Sequence, residues 1–203
     1  KAFKLNNKKK PEIYYVFAEK KDKKLIGLSW TVTSTAYNIT LSRTFYQMSL
    51  TNEFLRQSTP EKLGTRTVDP AILSDMASYR AEARFLRALS LYHAMDLFGR
   101  VPIVTENDPV GFFYPEQKDK AEVFAFLVKE LTEMDADLKP SRANEYGRVD
   151  KVAARMLLAK LYLNAEVYIG QNKYAVSGTA LADVLNSSYS IANTPYSHLF
   201  MAD

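Results

Sequence analysis

The sequence contains no cysteine, little glycine and no long apolar run. The absence of cysteine excludes disulfide bonds, thiolate zinc sites and a cysteine nucleophile. Seven glycines among 203 residues are few for an all-β chain, which needs many tight turns. No stretch of 18 apolar residues occurs, so the sequence has no candidate transmembrane helix. Because the hydrophobic content of 47% is ordinary, these absences favour a helical globular domain.

The formal net charge of +4 is concentrated at one end of the chain. Residues 1–30 hold nine lysines and three acidic residues, whereas the remainder holds 18 basic and 20 acidic residues. A nucleic-acid-binding domain carries its basic patch on the folded body. We therefore interpret residues 1–34 as an irregular, basic, solvated N-terminal segment that binds no nucleic acid, with a polyanion-binding arm as the alternative.

The segment before residue 35 allows two local structures. Ile13 to Phe17 and Leu25 to Leu28 are short apolar runs that fit either strands or parts of a loop-rich region. The first residues, KAFKLNNKKKPE, are basic, but the apolar stretch of a signal peptide does not follow them. We therefore expect this sequence to be an internal or trimmed part of a longer protein.

Beyond residue 34, apolar residues recur at helical spacing and predict five helices. Asp69 before Pro70 and Asp119 before Glu122 are typical helix starts, while Gly99 is a typical stop. The predicted helices span about residues 35–57, 69–98, 119–138, 150–163 and 180–188.

In two of these helices, the apolar residues predict a stripe of buried side chains along one face. For the second helix, the stripe consists of Leu73, Met76, Leu86, Leu89, His93 and Leu97. For the third helix, it consists of Val123, Phe124, Leu127, Leu131, Met134 and Leu138. Each stripe should face the neighbouring helices.

Helices of this length with short connections favour a mostly α fold of stacked helical hairpins. Each hairpin has an apolar face that it cannot bury alone, which is the physical logic of a tetratricopeptide-like array. No 34-residue repeat is visible, so this prediction depends on helix length and spacing. Irregular loop-rich segments, chiefly residues 105–118, interrupt the helices.

Three stretches of the sequence resemble the SusD/RagB family. The first is E-A-R-F-L-R-A at residues 82–88 with the turn F-G-R-V-P-I at 98–103. The second is G-R-V-D-K-V-A-A at 147–154, leading into L-L-A-K-L-Y-L, and the third is L-T-N-E-F-L at 50–55. Because they occur in family order, residues 35–203 resemble a SusD-like helical-repeat domain that is incomplete relative to the family.

The resemblance implies more than a fold. Family members are tetratricopeptide-like, have no catalytic activity and are lipid-anchored at the cell surface of the outer membrane. They work with a SusC-like TonB-dependent transporter and bind oligosaccharide or peptide ligands for import. The lipid-bearing cysteine of the family is absent here, so we expect any anchor to lie outside this chain.

No constellation of residues predicts catalysis. A P-loop, a dinucleotide-binding glycine motif and a Ser/His/Asp order are all missing. His93 and His198 are far apart and have no cysteine partners, so we predict neither a metal site nor a cofactor. Arg84 and Arg87 could bind an anion, but we interpret them, with Glu82, as ties between helices.

Aromatic residues in loops are the candidates for ligand binding, because sugar recognition combines aromatic faces with flanking polar groups. Trp30 is the only tryptophan and precedes the first helix. Phe113 and Tyr114 follow Phe112 in a loop that also holds Asp108. We predict Trp30, Phe113 and Tyr114 as ligand-binding residues, with Trp30 first. The alternative for each is an aromatic side chain that covers an edge of the core.

Two functions remain open from the sequence. The first is a cell-surface subunit that binds a glycan or another nutrient and releases it unchanged. The alternative is a helical-repeat scaffold that binds a protein partner and no sugar. An aromatic cluster in a loop would favour the first, and a concave groove lined by helix faces would favour the second.

Overall fold

The computed structural model describes residues 13–18, 25–30 and 35–190, with side chains described from residue 38 onward. Along these ranges, two strands are followed by three helices, two short strands and further helices. The chain divides into two compact units, residues 1–46 and residues 47–203. The division proposed from the sequence, between residues 34 and 35, stays a prediction.

The first unit contains a β-hairpin and the beginning of a long helix. Strands β1 (Ile13–Ala18) and β2 (Leu25–Trp30) pair antiparallel, with Ile13 opposite Trp30. The sequence allowed strand or loop for these two runs, and the structure forms strands. Helix α1 (Thr35–Gln57) has the predicted bounds and continues into the second unit.

A short helix, α2 (Pro60–Gly64), leads to the 29-residue helix α3 (Pro70–Phe98). Asp69 caps α3, since its carboxylate accepts a hydrogen bond at 2.8 Å from a backbone N–H of the first turn. Gly99 ends the helix with a φ of 82°, a conformation that glycine adopts without a Cβ clash. The predicted start and end of this helix are confirmed.

The predicted buried stripe of α3 is wrong in most of its positions. Leu73, Leu86 and Leu97 are 44%, 38% and 39% exposed, and His93 is exposed as well. The side of the helix that is buried includes Ala81, Phe85, Arg87, Ala88, Leu91, Ala94 and Met95. Small side chains at this contact let neighbouring helices approach closely, and counting only large apolar residues overlooks them.

Strands β3 (Val101–Pro102) and β4 (Gln117–Lys118) pair antiparallel and bring the two ends of a loop together. Helix α4 (Lys120–Glu133) follows and begins with a capping box. Asp119 accepts from the N–H of Glu122 at 2.9 Å, and the Glu122 carboxylate accepts from the N–H of Asp119 at 3.0 Å.

The predicted apolar stripe of this segment is confirmed. It continues from α4 through a short 3-10 turn at Met134–Ala136. All six predicted residues are buried: Val123, Phe124, Leu127, Leu131, Met134 and Leu138.

Helices α5 (Lys151–Leu163), α6 (Ala165–Ile169) and α7 (Tyr174–Leu185) complete the described part of the second unit. Asp150 caps α5 by accepting from two backbone N–H groups of its first turn, each at 3.0 Å. The sequence predicted α5, missed α6 and began α7 too late, at about residue 180.

Successive helices pack on one another: α3 on α4, α4 on α5, and α5 on α7. At the last contact the hydroxyl of Ser177 donates to the carbonyl of Ala159 at 2.9 Å, so these backbones lie close together. The predicted mostly α, tetratricopeptide-like fold is confirmed. Within the described ranges no helix combines the length and hydropathy that crossing a bilayer requires.

Candidate functional site

A network of charged side chains joins α1, α3, α4 and the β3–β4 loop at the E-A-R-F-L-R-A motif. We call Asn52, Arg84, Arg87, Glu106 and Glu130 the arginine junction. Arg87, only 2% exposed, donates to Asn52 and Glu130 at 2.8 Å each and also to the carboxylate of Glu106. Arg84 donates to both carboxylate oxygens of Glu130, at 3.2 and 2.8 Å.

Glu82 of the same motif holds the loop before α5. Arg148 donates to both oxygens of the Glu82 carboxylate, at 3.1 and 2.8 Å, and Asn144 donates to it at 2.9 Å. The guanidinium of Arg148 also lies 4.8 Å from the centre of the Tyr79 ring. The predicted tie between helices is confirmed for Arg84 and Arg87, which bind Glu130 of α4, whereas Glu82 binds a loop.

The carboxylates of the arginine junction stay charged at neutral pH. Burial raises the pKa of Glu130, but hydrogen bonds from Arg84 and Arg87 and their positive charge outweigh this effect and hold the pKa below its ordinary value. Burial and hydrogen bonding to Arg87 oppose each other at Glu106 too, and its pKa is also lowered. A carboxylate held deprotonated in this way is a poor general acid at neutral pH.

The aromatic loop, residues 105–116, connects β3 to β4 and is held at its base by α1. The side-chain amide of Asn52 donates to the carbonyl of Val104 at 2.9 Å. Arg56 donates to the carbonyl of Glu106 at 3.1 Å. These bonds fix where the loop leaves the helical body, since both donors belong to a regular helix.

Two aromatic side chains of this loop project into solvent. Phe112 and Tyr114 are 86% and 87% exposed. Their ring centres lie 5.0 Å apart with an interplanar angle of 77°, an edge-to-face pair. Gly111 precedes them with a φ of 107°, where a side chain would strain the backbone. The pair offers ring surface to a ligand that has an apolar face, as a sugar ring does.

The three predicted ligand-binding residues have different surroundings. Tyr114 is exposed, Phe113 is half-buried, and Trp30 ends β2 with a side chain that lies outside the described residues. The prediction did not select Phe112, which is the second exposed ring. The binding roles of Trp30, Phe113 and Tyr114 stay predictions.

A groove of about 860 Å³ lies beside the first half of α3. Pro60 and Leu63 of α2, with Leu73 of α3, form an apolar wall. Glu133 and Asp137, at and after the end of α4, belong to a charged wall. None of the described residues that line the groove is aromatic. Helix residues therefore form most of its described lining, and that lining offers no ring on which a sugar could stack.

Comparison with known proteins links the chain to one group. It is 34% identical over 205 residues to the starch-binding protein SusD of Bacteroides thetaiotaomicron, a match that covers all of this chain and 34% of that protein. A SusD homologue of the same species superposes with a TM-score of 0.68 at 22% identity, covering 84% of this chain and 33% of that one.

A SusD superfamily protein from Parabacteroides distasonis superposes with a TM-score of 0.62 at 27% identity, covering 76% of this chain and 32% of that chain. No protein-family model matches the chain. The chain spans about a third of the length of these relatives. Sequence identity along the whole chain, the helical fold and the motif that builds the arginine junction agree with one another. The chain therefore belongs to the SusD family.

Proposed function

We propose that this chain is part of a cell-surface subunit that binds a glycan reversibly and does not cleave it. The observation that carries the proposal is the 34% identity, over the whole chain, to a relative named as a starch-binding protein. Because the chain spans about a third of that relative, the activity of the whole protein is a hypothesis for this one. Starch is accordingly the first ligand to test.

The aromatic loop has the chemistry that reversible sugar binding requires. The rings of Phe112 and Tyr114 can cover apolar faces of glucose units, and the Tyr114 hydroxyl can donate or accept a hydrogen bond. Binding makes or breaks no covalent bond, so neither a general acid nor a nucleophile is needed. Phe113, between the two rings, and Trp30, the only tryptophan, are further proposed contacts.

The proposal includes a membrane partner. The family resemblance supports a SusC-like TonB-dependent transporter as the partner and a lipid anchor, outside this chain, at the outer-membrane surface. Affinity purification of the full-length protein from detergent-extracted membranes tests both. Recovery with an outer-membrane transporter supports the partnership, and recovery of the protein alone contradicts it.

Affinity electrophoresis tests the glycan ligand. The wild-type chain should migrate more slowly in a native gel that contains amylopectin than in a gel without it. Phe112→Ala combined with Tyr114→Ala should remove this retardation. Tyr146→Ala is the matched control, because Tyr146 is a fully exposed aromatic residue in another loop. Trp30→Ala tests the remaining predicted contact, and unchanged retardation would remove Trp30 from the site.

The outcomes of this experiment test the identity of the ligand and the location of the binding site separately. If the wild type is not retarded by amylopectin, starch is not the ligand of this chain. If the Phe112 and Tyr114 double variant is retarded as strongly as the wild type, the contact lies outside the aromatic loop. If Tyr146→Ala removes retardation as fully, exposed aromatic residues bind without selectivity.

The helical-repeat scaffold remains a second candidate function. It is favoured by the groove beside α3, which helix faces line and in which the described lining residues are not aromatic. Glycan binding is preferred because the sequence relationship covers the whole chain. The two functions use different residues and are compatible.

A further inference from the structure

The groove beside α3 has one apolar wall that is open to solvent. Pro60, Leu63, Leu73 and Met76 line it. Leu73 is 44% exposed, although it lies in a helix that buries much of its surface elsewhere. An apolar side chain that entered the groove would remove this wall from water, a favourable change that scales with the area covered.

The charged residues that line the groove have a surplus of negative charge. Arg80 and Arg84 line the groove together with four acidic residues, Glu106, Glu130, Glu133 and Asp137. Both guanidiniums already have partners within the chain: Arg80 donates to Leu55 and Ser58 at 2.6 and 2.8 Å, and Arg84 pairs with Glu130 and Glu133.

Two acidic side chains of the lining, Asp137 and Glu133, are exposed to solvent. Asp137 is exposed, and its carboxylate has no hydrogen bond or ion pair among the described residues. Glu133 is half-exposed, and its carboxylate pairs with Arg84 at 2.9 Å and with Lys129 at 3.9 Å. An incoming cation would therefore find an available acceptor at Asp137, whereas an incoming anion would find guanidiniums that are already bonded.

We propose that this groove binds a segment of a protein partner that presents an apolar side chain next to a lysine or arginine. The apolar wall fits the first group, and the acidic wall attracts the second. A volume of about 860 Å³ holds several side chains rather than a single ion. The segment is a polypeptide and not a glycan, since the described lining offers no ring for stacking. This binding goes beyond the proposed glycan function and uses other side chains than Phe112 and Tyr114.

Synthetic peptides test the chemistry directly. Three fluorescein-labelled peptides repeat Leu-Lys-Ser, Leu-Glu-Ser or Ser-Lys-Ser three times, and fluorescence anisotropy with the 203-residue chain measures their affinities. The Leu-Lys-Ser peptide should bind at least about fivefold more tightly than either of the others, because only it satisfies both walls. Failure of this peptide to bind, or equal binding of the Leu-Glu-Ser peptide, would overturn the proposal.

Two variants of the chain locate the binding. Asp137→Lys reverses the charge of the unpaired acid, and Leu73→Ser removes the exposed apolar contact. Each should weaken binding of the Leu-Lys-Ser peptide by about fivefold or more. Glu145→Lys makes the same charge change at an exposed residue outside the groove and should change affinity by less than about twofold.

Equal weakening by Glu145→Lys and Asp137→Lys would show attraction to overall charge and would overturn the groove as the site. Unchanged binding in Leu73→Ser would overturn the apolar contact. Circular dichroism of each variant checks that the helices are intact. Retardation by amylopectin should be the same in the wild type and the groove variants, so failure of peptide binding and failure of glycan binding are read separately.

Discussion

The arginine junction and the aromatic loop place polar and apolar groups in opposite ways. In the junction, the charged side chains of Arg87 and Glu130 are buried, and each of them pairs with two side chains of opposite charge. In the loop, the apolar rings of Phe112 and Tyr114 are exposed. Burying a charge is costly unless a partner offsets the cost, whereas an exposed ring keeps its surface for contact with another molecule. The difference predicts that the junction contributes to stability and that the loop contributes little to it.

Arg87→Met should cause the largest loss of stability. It removes one of the two cations bonded to Glu130 and the guanidinium that pairs with Glu106. Removing one member of a buried ion pair costs about 3–5 kcal/mol. Urea unfolding followed by circular dichroism measures the change. Arg66→Met is the control, because Arg66 is exposed and donates to Gln57, and it should cost less than about 1 kcal/mol. Equal losses in the two variants would contradict the structural role of the junction.

Glu130→Gln should lower the unfolding free energy by about 2 kcal/mol at neutral pH. The reason is that a neutral amide replaces the carboxylate that accepts hydrogen bonds from the guanidiniums of Arg84 and Arg87. The pKa of Glu130 lies below 4.5 in the folded protein, so its stabilising contribution is complete above about pH 4.5 and is lost as the pH falls through the folded-state pKa. As the pH falls below about 4.5, the wild type should therefore lose stability more steeply than Glu130→Gln. Parallel pH profiles of the two proteins would show that Glu130 is not charged and paired as described.

Arg84→Met should have a smaller effect, about 1 kcal/mol, because Arg84 is less buried than Arg87 and Glu130 keeps its other cation. A double-mutant cycle with Glu130→Gln sharpens the comparison. The two losses should not add, since the residues share an ion pair. Additive losses would mean that Arg84 and Glu130 do not stabilise each other.

The aromatic loop should respond least. Phe112→Ala with Tyr114→Ala should change the unfolding free energy by less than about 0.5 kcal/mol, because neither ring is buried. The same urea titration measures it, and the result complements the expected loss of amylopectin retardation. A loss above about 1.5 kcal/mol would mean that the rings pack against the folded body and are not held free for a ligand.

The helices differ in how well the sequence predicted them. The stripe of α4 could be read because its apolar residues are large and face one side. The buried stripe of α3 could not be predicted from its large apolar residues. Alanines and Arg87 occupy the buried side of this helix, while Leu73, Leu86 and Leu97 are exposed. The identity of a side chain indicates burial only when neighbouring elements cover one face of the helix. Helix α6 has five residues, too few for a period to show.

The candidate sites were predictable only in part, and for a different reason. Arg87 finds its partners Asn52, Glu106 and Glu130 at separations of 35, 19 and 43 residues, which no helical period can indicate. The family motif pointed to the role of Arg87, and its partners emerged only from the fold. The presence of aromatic residues in the loop was visible, but an irregular segment has no period that tells which ring is exposed.

Asn52 joins the aromatic loop to the buried charges of the junction. Its side-chain oxygen accepts from Arg87 while its nitrogen donates to Val104, so one amide aligns the guanidinium and the root of the loop together. An aspartate would keep the acceptor and lose the donor, and a leucine would lose both. A replacement at Asn52 would disturb the start of the aromatic loop and the buried guanidinium of Arg87 in a single step.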